Sequence, residues 1–81
     1  MRIDKFLKVS RILKRRTVAN EAVSCGRVKI NGREVKPAHQ ISVGDVVELG
    51  FNSGTVKIEI LQIKDTVKKN EVDSLYRVIE E

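Results

Sequence analysis

The sequence predicts a small α+β fold, with two or three short N-terminal helices packed on an antiparallel sheet of four to five strands. Three observations predict this class. Apolar residues recur at helical spacing through the first third of the chain, they alternate with polar residues after Gly26, and turn signals separate the later apolar runs. With 81 residues the chain is shorter than the usual domain of about 100–150 residues, so we expect one domain over residues 1–81.

Two amphipathic helices are predicted at the N-terminus. The first begins after Arg2, and its buried face has the i, i+3, i+4, i+7 spacing: Ile3, Phe6, Leu7 and Ser10. Thr17 has a residue type that caps helices, so we expect its side chain to cap the second helix by accepting a backbone N–H bond, and Gly26 is expected just beyond the helix end. The apolar face of the second helix is predicted to comprise Val18, Ala19, Ala22 and Val23.

A β-hairpin is predicted at Asn31-Gly32, because this dipeptide favours a tight two-residue turn. The turn sets three pairs opposite each other: Ile30 with Arg33, Lys29 with Glu34, and Val28 with Val35. Val28, Ile30 and Val35 then face the core. Pro37 is expected to end the second strand, since proline cannot donate a ladder hydrogen bond.

A second hairpin is predicted from the alternation of Val47, Leu49 and Phe51. If Ser53-Gly54 form its turn, the opposed pairs are Phe51 with Val56, Leu49 with Ile58, and Val47 with Ile60. Every apolar residue then meets another apolar residue. The same register sets Glu48 opposite Glu59, at a small cost from like charges.

The segment from Asp65 to Glu81 fits two patterns. Helical spacing joins Val72, Leu75, Tyr76 and Ile79, whereas Tyr76 and Val78 alternate as in a strand. We predict a turn of helix followed by a short closing strand.

Positive charge is concentrated in the first part of the chain. Residues 1–36 contain 11 Lys and Arg against three acidic residues, whereas residues 37–81 contain five against eight, and the net charge is +5. Solvated surfaces usually mix the two signs. The segregation therefore indicates a polyanionic partner.

Several classes of function are excluded by the residue inventory. Cys25 is the only cysteine and His39 the only histidine, which excludes a disulfide scaffold and a Cys/His zinc site. No phosphate-binding glycine loop or nucleophile motif is present, so we expect neither an enzyme nor a cofactor. Cys25 with His39 is a conceivable nucleophile–base pair, but the simpler interpretation packs Cys25 at the end of the second helix and leaves His39 in a surface loop.

A membrane partner is also disfavoured. No apolar run approaches the roughly 20 residues that span a bilayer, and the N-terminus lacks the pattern of a signal peptide. An anionic membrane surface would need the apolar helix faces that the core requires. We therefore expect a cytoplasmic protein.

The basic residues around positions 11–16 suit phosphate binding better than a merely solvated face. Arginine dominates them, and a guanidinium binds phosphate oxygens in a bidentate manner. Phe6 and Phe51 are assigned to the core, which leaves no aromatic platform for stacking single-stranded bases. Structured RNA read by its shape, or a DNA backbone, therefore fits best.

Over residues 1–50 the chain resembles a known family, the S4-type RNA-binding domain. The matching motifs are Met1-Arg-Ile-Asp-Lys-Phe-Leu7, Ser10-Arg11, Lys14-Arg-Arg-Thr-Val-Ala19, Gly26-Arg-Val-Lys-Ile-Asn-Gly32, Lys36-Pro37 and Gly44-Asp45. Residues 51–81 would add strands and a C-terminal segment. Within them, Lys64-Asp-Thr-Val-Lys-Lys-Asn-Glu71 and Leu75-Tyr76 resemble the tail of the short bacterial family of ribosome-associated quality control protein P.

This resemblance implies a non-enzymatic factor of ribosome-associated quality control. Its implied partners are a stalled large ribosomal subunit with its rRNA and peptidyl-tRNA, and a partner elongation factor that synthesises alanine tails without a template. We expect a monomer. Two alternatives are a heat-shock-type recycling factor, disfavoured because no long basic C-terminal extension follows, and a protein-interaction module with an acidic partner.

The predicted RNA-binding residues come from two sources. The resemblance assigns the family's basic motif to Arg2, Lys5, Arg11, Arg15, Arg16, Arg27 and Lys36. The position of further residues beside that motif adds Lys8, Lys14 and Thr17. Asp4 is interpreted as an i, i+4 partner of Lys8 and not as a catalytic acid.

Overall fold

A computed structural model describes residues 1–79 and has the predicted α+β architecture. Helix α1 spans Ile3–Val9 and helix α2 spans Arg16–Ser24. The strands are β1 Val28–Ile30, β2 Arg33–Glu34, β3 Val46–Phe51, β4 Gly54–Ile60 and β5 Tyr76–Ile79. Over the described residues the sheet is antiparallel, has five strands, and runs in the order β2-β1-β3-β4-β5. The predicted fold class is confirmed.

Helix α1 buries the face that the periodicity predicts. Ile3, Phe6 and Leu7 have no exposed surface, and Ser10 is buried just past the helix end. Two backbone hydrogen bonds tie the N-terminus to a later loop: Ile3 N–H donates to the His39 carbonyl at 2.9 Å, and Ile41 N–H donates to the Met1 carbonyl at 3.0 Å. The start of the chain is therefore held against the body of the fold.

Helix α2 begins two residues earlier than predicted, and the predicted cap is wrong. Arg15 occupies the N-cap position in an extended conformation, no side chain caps the helix, and Thr17 is already its second residue. The reason is that the carbonyl of Arg15 accepts the first helical hydrogen bond, from Ala19 N–H at 3.1 Å. The end is as predicted, because Gly26 follows the helix with φ of 78°, where glycine has no steric penalty.

The first hairpin has the predicted turn and a shorter second strand. Asn31 and Gly32 both have positive φ, as a tight hairpin turn requires, and Lys29 faces Glu34 as predicted. Strand β2 ends at Glu34, so Pro37 does not end it and Val35 lies outside the ladder, partly buried against the core. The loop after Glu34 turns away instead to reach the start of α1.

The predicted register of the second hairpin is wrong by two residues. The turn residues are Asn52-Ser53, because Phe51 faces Gly54; Leu49 therefore faces Val56 and not Ile58. A shift by two keeps every side chain on its predicted face of the sheet. It also places Glu48 opposite Lys57, with 3.4 Å between the carboxylate and the ammonium group, so the expected repulsion between two glutamates is replaced by attraction.

Three residues predicted to pack in the core are exposed. Phe51 is 41% exposed because it ends β3, opposite a glycine that cannot cover it. Val18 is 45% exposed on α2, whose buried residues are Ala19 and Val23. Cys25 is exposed just after the end of that helix.

The C-terminal segment follows the prediction of a helical turn and a closing strand. A 3-10 helix covers Lys69–Ser74, and Leu75 is fully buried between it and β5. Strand β5 pairs with β4, with Tyr76 opposite Ile60. The last two residues of the predicted segment, 80 and 81, lie outside the described residues.

We expect Leu49→Ala to lower the free energy of unfolding by about 2–4 kcal/mol, because it opens a cavity among buried side chains. Ile58→Ala should have a similar effect, since Ile58 is equally buried. Val56→Ala is the matched control: it faces Leu49 across the ladder but is 38% exposed, so its cost should stay under about 1 kcal/mol. Urea unfolding of the three variants measures these values, and equal losses at Leu49 and Val56 would contradict the assigned core.

Candidate nucleic-acid interface

The N-terminal ends of α1 and α2 border a groove of about 430 Å³, which we call the Arg2 groove. Its lining residues are Arg2, Asp4, Arg16, Thr17, Asn20 and Glu21. The side chains of Arg2 and Arg16 are 41% and 48% exposed, so both guanidinium groups reach solvent. Arg2, at the N-cap of α1, and Arg16, the first residue of α2, therefore lie at the same opening.

Asp4 holds these two arginines together. Its carboxylate, almost fully buried, accepts hydrogen bonds from Nε and Nη2 of Arg2, both at 3.1 Å. It also accepts one from the amide of Asn20 at 3.4 Å and one from the backbone N–H of Lys5 at 2.8 Å. Nε of Arg16 lies 3.7 Å from the same carboxylate.

The prediction that Asp4 pairs with Lys8 is therefore wrong. Asp4 is 1% exposed because it points between the helices, whereas Lys8 is exposed to solvent. A buried carboxylate needs several donors to offset its lost hydration, and Arg2, the backbone N–H of Lys5 and residues of α2 supply them. Helical spacing alone does not reveal which face of α1 meets α2.

The pKa of Asp4 is lowered below its ordinary value despite its burial. Burial by itself raises the pKa of a carboxyl group. The hydrogen bonds from Asn20 and from the backbone N–H of Lys5, together with the charges of Arg16 and Arg2, outweigh that effect. Asp4 is therefore ionised at neutral pH, and it orients both guanidinium groups.

A second and larger groove, of about 490 Å³, lies between the end of α1 and the segment before the 3-10 helix; we call it the Lys8 groove. It is lined by Lys8, Val9, Arg11, Leu13, Lys14 and residues 65–67. Within residues 1–79, no carboxylate forms an ion pair with Lys8, Arg11 or Lys14. The only acid in the lining, Asp65, pairs with Lys5 at 3.2 Å.

Arg11 has an unfavourable backbone conformation in this groove. Its φ is 62°, in the left-handed region, where a residue with a side chain pays a steric cost of about 1–2 kcal/mol. It follows the end of α1, the position at which glycine is preferred, and its N–H donates to the Lys8 carbonyl at 3.0 Å. An arginine at a position that suits glycine indicates a requirement for its side chain.

The other predicted residues surround these grooves. Arg15 is exposed at the N-cap of α2. In the sequence it lies between Lys14, which lines the Lys8 groove, and Arg16, which lines the Arg2 groove. Lys36 is exposed in the loop that contacts the start of α1, where the Pro37 carbonyl accepts the Asp4 N–H at 3.4 Å. Arg27 is separate, because it lines a third groove with Phe51. The structure thus brings most of the ten predicted residues to the part of the surface formed by residues 1–24, which contain α1, α2 and the loop between them; we call this surface the helical side.

Sequence reasoning missed two contributors. Asn20 donates to Asp4 and follows Arg16 by four residues, so helical spacing was a usable signal for it. Residues 65–67 form a wall of the Lys8 groove, and Asp65 lies sixty positions from its partner Lys5. No local pattern signals such a contact.

The described residues contain no group of acidic, cysteine and histidine side chains suited to a metal ion. No helix among them has the length and apolar character needed to cross a bilayer. Cys25 and His39 are both exposed, and no hydrogen bond joins their side chains in residues 1–79.

Residues 1–47 match the S4 domain family. Over all 81 residues, the chain is 44% identical to the RQC P-site tRNA stabilizing factor of Streptococcus pneumoniae and covers 92% of that protein. It is 42% identical over the same length to the RQC P-site tRNA stabilizing factor of Bacillus subtilis and covers 94% of it. The trimeric structure of Vibrio cholerae Heat Shock Protein 15 is similar with a TM-score of 0.91 and 31% identity, covering 98% of this chain and 81% of that chain.

We expect Asp4→Asn to lower the free energy of unfolding by about 1–3 kcal/mol at neutral pH, because the amide cannot attract Arg2 and Arg16 as a carboxylate does. The contribution of Asp4 should shrink in acid. Its pKa is lower in the folded than in the unfolded state, so the unfolded state binds the proton first and stability falls as the pH drops from about 4 through the folded-state pKa. Urea unfolding of both proteins at neutral pH and near pH 3 should therefore show a smaller difference in acid.

Asp65→Asn is the control for this measurement. The side chain of Asp65 is 81% exposed, so its ion pair with Lys5 should contribute little and its removal should change stability only slightly at either pH. An Asp4→Asn variant as stable as wild type would show that the carboxylate does not hold the two helices.

Proposed function

We propose the function of this protein from its family, because the chain belongs to the S4 domain family and to the RQC P-site tRNA stabilizing factors. The protein stabilises tRNA in the P site during ribosome-associated quality control. The observation that carries this proposal is identity of 42–44% over the whole chain with two relatives of that name. The fold supports it, because Lys8, Arg11 and Lys14 line one groove and form no ion pair with a carboxylate of residues 1–79.

The proposed ligands are large-subunit rRNA and peptidyl-tRNA on a stalled large ribosomal subunit. The Arg2 groove and the Lys8 groove lie on different parts of the helical side, and each fits RNA phosphates. A small domain that contacts two RNA surfaces at once gains affinity through effective concentration. This supports a protein that holds two RNAs in place on the subunit.

The proposed residue roles follow from these positions. Arg2 and Arg16 bind phosphates in orientations held by Asp4, and Lys8, Arg11 and Lys14 bind phosphates at the Lys8 groove. Four of the remaining predicted residues extend the same contact: Lys5, Arg15, Thr17 and Lys36. Arg27 adds a phosphate contact at the separate groove that it lines with Phe51.

We further propose that the protein assists the synthesis of C-terminal alanine tails by a partner elongation factor. It does so without chemistry or a cofactor of its own, by keeping peptidyl-tRNA in position while the partner works. A cytoplasmic monomer suits this role. The likeness to Heat Shock Protein 15 supports a second candidate, a recycling factor for large subunits that carry nascent chains. Loss of alanine tailing in cells that lack the protein would favour the first candidate, and unchanged tailing would favour the second.

RNA binding should depend strongly on salt. If roughly five to seven phosphates are neutralised, log affinity should fall with log salt at a slope of about −4 to −6. Arg11→Gly should make this slope shallower by about 0.7–0.9 and weaken binding by about 1–2 kcal/mol, while thermal stability rises because glycine relieves the left-handed strain. Titration of a structured RNA at several salt concentrations, alongside thermal melts, measures both effects.

Arg11→Ala is the matched variant for this prediction. It removes the same side chain but keeps the strained backbone, so it should weaken RNA binding equally without the gain in stability. If both variants bind RNA as wild type does, Arg11 does not contact RNA, and a salt slope near zero would contradict RNA binding by the helical side.

Tagged protein recovered from cells should carry large subunits with peptidyl-tRNA in preference to empty ones. Arg16→Glu should reduce that recovery and the amount of alanine tailing, because it reverses a charge at the Arg2 groove. Lys69→Glu is the control, since it makes the same charge change on the 3-10 helix, outside both grooves. Recovery chiefly with small subunits, or equally with empty large subunits, would defeat the quality-control proposal.

A further inference from the structure

An apolar groove of about 210 Å³ opens where β3 ends, and we call it the Phe51 groove. Leu13 and Val18 line it from the helical side, and Val28 and Leu49 line it from the sheet. Phe51 itself is 41% exposed. Val18 is 45% exposed, so two large apolar side chains of this groove are accessible to a ligand.

The size of this groove suits one small planar group. Sites for drug-sized molecules usually measure about 300–1,000 Å³, and this groove is smaller. Gly50 contributes no side chain to the lining, and a Cβ there would lie 3.5 Å from the Arg27 carbonyl. The open space beside Phe51 therefore fits a single ring system and not a packed helix or strand.

Arg27 supplies a cation at the same groove. Its backbone is held on both sides, because its N–H donates to the Ala22 carbonyl at 3.0 Å and its carbonyl accepts the Gly50 N–H at 2.8 Å. The side chain is exposed, and among residues 1–79 no carboxylate forms an ion pair with it. No acidic residue lines the groove.

An aromatic ring, an apolar slot and an arginine that pairs with no carboxylate of residues 1–79 together match the chemistry of a nucleotide. A base has two π-faces that stack on phenylalanine, and the phosphate beside it pairs with a guanidinium. The groove also adjoins the basic helical side, since Leu13 precedes Lys14 and Val18 belongs to α2. An RNA bound there by its phosphates would bring its bases near Phe51.

We propose that the Phe51 groove binds one unpaired nucleotide of the RNA that the helical side holds. This inference rests on the proposed function, and it adds a contact with a base to a surface that otherwise binds phosphates. The base stacks on Phe51, and Arg27 pairs with its phosphate. The protein then distinguishes RNA with an extruded base from a fully paired helix.

Three RNA hairpins with the same stem test this inference: one fully paired, one with a single bulged adenosine, and one with an abasic bulge that keeps the same number of phosphates. Wild-type protein should bind the adenosine bulge about tenfold more tightly than the abasic bulge, because stacking on an aromatic ring contributes about that much per base. Phe51→Leu should abolish the difference, and Phe51→Tyr should preserve it. Arg27→Gln should weaken binding of both bulged RNAs more than binding of the paired one.

Thermal melts of each variant establish that it is folded before its affinity is compared. Equal wild-type affinity for the adenosine and abasic bulges would overturn the nucleotide site, while salt-dependent binding of the paired hairpin would leave the proposed function intact. Phe51→Leu that binds all three RNAs as wild type does but no longer sediments with ribosomes would assign the groove to a protein and overturn the inference. Failure of wild type to bind any hairpin would defeat RNA binding and this site together.

Discussion

The buried carboxylate of Asp4 is the interaction on which the helical side of the molecule depends. An ionised group removed from water needs donors around it, and Asp4 obtains them from Arg2 before α1, from the backbone of α1 itself, and from α2. Satisfying that charge therefore fixes the two helices relative to each other. It also fixes the two guanidinium groups at the groove, so folding and the shape of the binding surface have one common cause.

Charged side chains are arranged differently on the outer face of the sheet and on the helical side. On the outer face of the sheet, Glu48 pairs with Lys57 and Glu59 pairs with Arg77, the latter through a hydrogen bond of 2.8 Å. On the helical side, Lys8, Arg11 and Lys14 line the Lys8 groove and form no ion pair with a carboxylate of residues 1–79. An approaching polyanion is therefore attracted most strongly to these unneutralised cations, which orients the protein during association.

Two departures from ideal structure lie at the grooves. Arg11 has a left-handed backbone in the Lys8 groove, and Phe51 exposes an aromatic ring in the Phe51 groove. Each lowers the stability that the chain would otherwise have. Local rules of structure are most often broken where a residue serves binding instead of folding, so these two sites support the assignment of the surface.

Local patterns in the sequence determined the fold class, the helix α1 face, the turn at Asn31-Gly32 and the position of the basic residues. Periodicity and turn chemistry depend on residues that are close in the sequence, so the sequence alone is enough to predict these features. Only the tertiary structure decided the partners of Asp4, the wall that residues 65–67 add to the Lys8 groove, the exposure of Phe51 and the two-residue shift of the second hairpin. Each of these depends on which surfaces meet across the fold, and a shift by two residues leaves the alternation of apolar residues unchanged.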